Sequence, residues 1–83
     1  KSSVSAKDLQ IFTRQFATLV NSGIPIVQSI DILSGATKNA MLANALKKIK
    51  DDIEAGKKLA EAIQLHSRIF DRLYINLVRA GEE

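Results

Sequence analysis

The sequence predicts an all-α fold, a compact antiparallel bundle of about five helices, on three observations. Apolar residues recur at helical spacing in one segment after another. Glycine, proline or short polar residues fall where each apolar stripe stops. One proline, four glycines and three phenylalanines leave too few turn and strand formers for an all-β domain of this length.

The first helix starts at Ser5, whose hydroxyl can accept from the amide three residues on, while Asp8 reaches back as a short capping-box acid. Leu9, Phe12, Phe16, Leu19 and Val20 form its apolar stripe, flanked by Thr13, Arg14, Gln15 and Thr18. Asn21-Ser22-Gly23 closes it, with Gly23 suited to the left-handed position, and Pro25 prevents continuation. Pro25 can instead open the second helix, where a first-turn residue has no use for its amide. Ile26, Val27, Ile30 and Leu33 are its expected buried face, and Ser34-Gly35 its expected end. So short a connection makes these helices antiparallel neighbours.

Asn39 begins a third helix with Leu42, Ala45, Leu46, Ile49 and Ile53 inward, and Gly56 ends it. A short fourth helix holds Leu59, Ala60 and Ile63, with Leu65 extending that face. His66-Ser67-Arg68 is the expected loop, anchored by Ile69 and Phe70. Asp71 caps a last helix carrying Leu73, Tyr74, Leu77 and Val78.

Eighty-three residues, 46% of them hydrophobic, suit one domain near the lower size at which side chains alone hold a core. Without cysteine there is no disulfide framework, thiolate metal site or thiol nucleophile. No apolar run approaches the roughly 18 residues of a membrane span. The chain starts at Lys1 and reaches Glu83 in a polar helical run with no stop signal. It is therefore expected to be a piece of a longer protein, with any membrane segment elsewhere. The net charge of +3 permits acidic partners without demanding them.

Catalytic constellations are absent from the pattern. His66, Ser67 and Asp71 are nearly consecutive, whereas a triad converges from separate elements. Gly56-Lys57 lacks the other parts of a phosphate loop: Asp51 stands at the first glycine position and Lys58 replaces the serine or threonine. The run Lys47 to Glu54 resolves on a helix into Lys47–Asp51, Lys48–Asp52 and Lys50–Glu54, a solvated face with little stabilising effect. A helix-turn-helix reading fails on charge, since Ile26 to Leu33 offers Gln28, Ser29 and Asp31 but no cation. No nucleic acid is expected. Arg14 and Gln15 inside the most apolar helix, and Glu82 after a glycine in the last, have two readings. Arg14 faces Glu82 in a partly buried pair, or the charges are exposed and idle.

Three blocks carry a resemblance. They are Asp8-Leu9-Gln10-Ile11-Phe12-Thr13-Arg14-Gln15-Phe16 with Ser22-Gly23-Ile24-Pro25, Gly56-Lys57-Lys58-Leu59-Ala60-Glu61-Ala62-Ile63, and Phe70-Asp71-Arg72-Leu73-Tyr74-Ile75-Asn76-Leu77-Val78-Arg79-Ala80-Gly81-Glu82. In this order and spacing the chain resembles the type II secretion F protein family, which includes the type IV pilus inner-membrane platform protein. The last block leans toward the pilus branch. The resemblance implies a polytopic protein of the bacterial inner membrane with two related cytoplasmic helical domains, residues 1–83 being similar to the first. Six helices are usual there, so five to six are expected here.

The same resemblance implies a non-catalytic scaffold that couples an assembly ATPase to polymerisation of pilin or pseudopilin, contacts neighbouring platform subunits and forms homodimers, with no cofactor. Arg14, Gln15 and Glu82 match recurrent polar positions of the family, as intradomain anchors or contacts to a second copy. Glu82 with Glu83 would offer a divalent cation two carboxylates, against the roughly six to eight oxygens calcium takes, and no metal is expected. Ser67-Arg68 departs from the proline many relatives carry before the phenylalanine, which implies a looser loop. The alternative from a different class is a soluble helical regulatory or DNA-binding domain.

Overall fold

In the computed structural model, which describes residues 3–82, the chain folds as five helices with no strand among them. Helix α1 (Ala6–Asn21) begins with the expected reciprocal cap: the Asp8 amide donates to Ser5 Oγ at 3.0 Å and the Ser5 amide to Asp8 Oδ2 at 3.3 Å. These bonds, led by those from Ser5, hold the Asp8 carboxyl below the usual range. At its other end the Ile24 amide reaches back to the Leu19 carbonyl and that of Gly23 to Val20, with Gly23 at φ +93°. A side chain is disfavoured at that φ, and the pattern satisfies the final carbonyls of the helix.

Helix α2 (Ile26–Ala36) starts one residue later than expected, with Pro25 as N-cap whose carbonyl accepts from the Ser29 amide. It also runs past Ser34-Gly35 to Ala36. Ser34 does not break the helix because it is buried and its hydroxyl donates to the Asp31 carbonyl at 2.8 Å. Ser29, fully buried, donates to the Ile24 carbonyl. The buried face is therefore Ser29, Ile30, Leu33 and Ser34, and Ile26 is exposed at the helix start rather than inward.

Helix α3 (Ala40–Glu54) is capped by Asn39, whose Oδ1 accepts from the Leu42 amide at 2.9 Å. The Nδ2 of the same residue donates to the Ser3 carbonyl and to Asp8 Oδ2, so one side chain ties the starts of α1 and α3. Leu42, Ala45, Leu46 and Ile49 are buried as expected, Ile53 partly so, and Gly56 closes the helix at φ +110°. The ladder of ion pairs along α3 does not form. Among the described residues the one ion pair within 4 Å is Lys50 to Asp31 of α2, at 3.4 Å.

Helix α4 (Leu59–Gln64) buries Ala60, Ala62 and Ile63. It stops before Leu65, which is 65% exposed and does not extend the apolar face. The following turn hangs on the His66 carbonyl, which accepts from the amides of Ile69 and Phe70, both at 2.9 Å. The serine and arginine in place of proline thus leave a loop held by backbone bonds, with Phe70 fully buried beneath it. Asp71 caps helix α5 (Arg72–Glu82) by accepting from the Tyr74 amide at 2.8 Å. On α5 Ile75 is buried and Tyr74 and Val78 pack partly buried against the core as expected, while Leu73 and Leu77 are two-thirds exposed.

The core is continuous from Phe12 through Ile30, Leu33, Leu42, Leu46 and Ile49 to Ile63 and Phe70. Backbones pack in the order α1 on α2, α2 on α3, α3 on α4 and α4 on α5. Between α1 and α5 no pair of Cα atoms lies within 8 Å.

Candidate interaction face

That separation leaves α1 and α5 joined by side chains alone. Phe12 meets Phe70 edge-on with ring centroids 6.3 Å apart, Phe16 stacks on Phe12 at 5.6 Å, and Tyr74 tilts over Phe70 at 5.1 Å. At the tip of this chain the Tyr74 hydroxyl and Thr13 Oγ1 are 2.7 Å apart, and Thr13 donates onward to the Leu9 carbonyl, so the tyrosine is the donor between them. Burial pushes the Tyr74 phenol up, and the bond to Thr13 opposes the shift.

Beside this bridge lies a groove of about 230 Å³, lined by Phe12, Phe16, Leu59, Tyr74, Leu77 and Val78 among others. Almost all of its surface is carbon. A furrow on the other side of Tyr74 continues the face over Ala6, Leu9 and Thr13. The exposed Leu77 lines the groove, and the exposed Leu73 stands about one helical turn before it on α5. With so apolar a lining, the face can recognise another apolar surface by shape and burial.

The three polar positions are not brought together. Arg14 is exposed and borders the furrow, with no ion pair to Glu82. Gln15 is exposed on the other flank of α1, beside Asp8, Leu33 and Lys38. Glu82 is committed elsewhere: its two oxygens accept from the amides of Leu59 and Ala60, at 2.9 and 3.3 Å. With the Lys58 amide bonded to Glu61, the first free amides of α4 find carboxylates, the arrangement a helix start favours. The pairing of Arg14 with Glu82 is therefore corrected: the acid serves a helix end, and the arginine faces solvent.

Glu83 lies outside the described residues, as does any cation site that uses it. Among the described residues no three acidic or histidine side chains cluster as metal ligands. His66 is only partly buried. Its imidazole is held below the ordinary value mainly by burial and then by Lys48, with Asp52 opposing. Sequence reasoning missed the Thr13–Tyr74 bond and the buried Ile75. For the first, the available signal was a polar tip on each of two apolar stripes.

Fold and face together define a small helical module that offers an apolar groove. The chain belongs to the type II secretion system protein F family, whose pattern matches residues 12–83. It is 46% identical to the type IV pilus assembly protein PilC of Thermus thermophilus over 92% of the chain and 18% of that protein. To PilC of Myxococcus xanthus it is 43% identical over 95% of the chain and 19% of that protein. To the type II secretion system protein F of Xanthomonas campestris it is 35% identical, over 86% of the chain and 18% of that protein. The chain thus spans about a fifth of the length of these relatives. No described helix is long and apolar enough to cross a membrane.

Proposed function

We propose that this chain is the first cytoplasmic domain of a platform protein in the bacterial inner membrane, working in a type IV pilus machine. In this reading it is a non-catalytic scaffold that passes the work of an assembly ATPase to pilin polymerisation. A homodimer and neighbouring platform subunits are its further contacts. The observation that carries the reading is the match over nearly the whole chain to proteins named for pilus assembly, at higher identity than to the secretion protein. The α1/α5 groove supports it physically, since an apolar face on a small domain favours burial against another helix. The recurrent polar positions divide on the same reasoning. Glu82 is an intradomain anchor, and Arg14 and Gln15 are contacts available to a second copy.

The test uses the full-length protein in detergent, immobilised and offered the purified assembly ATPase of the same machine. Retention of the ATPase without any hydrolysis by the platform protein alone is the expected result. Failure to retain it, with and without nucleotide, overturns the coupling role. Sedimentation of the 83-residue chain over a range of concentrations reads the dimer separately.

A further inference from the structure

The opposite side of α5 carries a second surface of different chemistry. On a helix of 3.6 residues per turn, Arg72, Asn76 and Arg79 fall on one stripe, roughly half a turn from Tyr74, Leu77 and Val78. This stripe and the turn after α4 enclose a polar cleft, with Gln64 and Ser67 on the far wall and the buried Phe70 and Ile75 as floor. Arg79 Nη2 donates to Gln64 Oε1 at 3.1 Å, which fixes one edge of that guanidinium and leaves its other donors open. Among the described residues, neither arginine has a carboxylate within 4 Å. Of those residues Asp71 is the one acid lining the cleft, and its Oδ1 is occupied by the Tyr74 amide. The lysines of α3 differ in kind, because Asp51, Asp52 and Glu54 are interleaved with them.

We propose that this cleft docks an acidic segment of a partner protein, with carboxylates bound by Arg72 and Arg79 and polar groups by Asn76 and Ser67. A guanidinium takes a carboxylate through two parallel bonds, which a lysine cannot do. The arginine positions are about 10 Å apart along the helix axis, a spacing that suits successive acids on one chain better than a single phosphate. Neither of the exposed leucines a bilayer would take up, Leu73 and Leu77, lines this cleft, which disfavours a lipid surface. The inference rests on these residues alone, and it stands or falls independently of what covers the α1/α5 groove.

Isotope-labelled chain is titrated with a synthetic helical peptide carrying two glutamates two turns apart, with the Glu→Gln peptide as control. Amide shifts confined to Gln64, Ser67, Arg72, Asn76 and Arg79, weakening with salt, are expected. Arg72→Gln and Arg79→Gln should each lower affinity about ten-fold, in keeping with loss of a charge-assisted bond. Both positions are exposed, so the variants should keep the circular dichroism and melting temperature of the parent. Shifts spread over the α3 lysines, equal binding of the Gln peptide, or unchanged affinity of both variants would overturn the proposal. So would inorganic phosphate or phosphatidylglycerol vesicles competing as well as the peptide.

Discussion

Glu82 shows how one residue can decide whether a short element exists. Six residues are too few for a helix to sustain itself, because nucleation costs more than so few backbone bonds return. Helix α4 is held by its apolar contacts and by carboxylates at its start, and Glu82 supplies two of those bonds from the far end of α5. Glu82→Ala should therefore destabilise the fold by about 1 kcal/mol, the usual cost of a lost cap. Glu82→Gln should cost less, since an amide oxygen still accepts one of the two amides. Urea titration reads both values. Hydrogen exchange at Leu59 and Ala60 should rise in the alanine variant before the rest of the core responds. The sequence singled out Glu82 as a polar residue in an unexpected place, with a pair to Arg14 or an idle exposed charge as its residue-level readings, and neither is the helix start it serves. Charge type and spacing are visible in a sequence, whereas a contact between residues over twenty positions apart depends on how two helices cross.

Elements were legible where a local chemical signal set their ends. Ser5 with Asp8, Asn39 and Asp71 each cap as their side chains predict, because a cap needs only its own next three residues. Gly23 and Gly56 end their helices for an equally local reason. Misreadings arose where tertiary packing overrode the pattern. Ser34-Gly35 looks like a stop, yet the serine satisfies itself within the helix and the turn continues under α3. The lysine and acid pairs of α3 give way to a bond across to α2. Gly56→Ala isolates the conformational part of one helix end. Nothing lies within 4 Å of the added methyl group, so the φ of +110° is the sole source of strain. The variant should lose roughly 1–2 kcal/mol, the cost of a left-handed residue with a side chain, seen as a lower midpoint in urea with an unchanged slope.

At the scale of the whole molecule, the gap between α1 and α5 governs what the bundle can do. Four helix pairs pack backbone to backbone, and the fifth contact is a row of aromatic rings with a groove at its side. A domain closed on all sides would have no reason to hold Leu77 at 66% exposure in the wall of that groove, with Leu73 about one turn before it at 67%. Their exposure also makes them separable from folding, since a surface change away from the core usually costs under about 0.5 kcal/mol. Leu73→Glu with Leu77→Glu should therefore leave the melting curve of the chain nearly unchanged. In the full-length protein the same pair should weaken self-association or ATPase retention, because two charges would be pressed into an apolar contact. Sedimentation and the retention assay, run on one preparation, distinguish the two contacts. Unaltered association and retention in a folded double variant would remove the α1/α5 face from the working surface and leave the arginine stripe across α5 as the side through which this domain meets its partners.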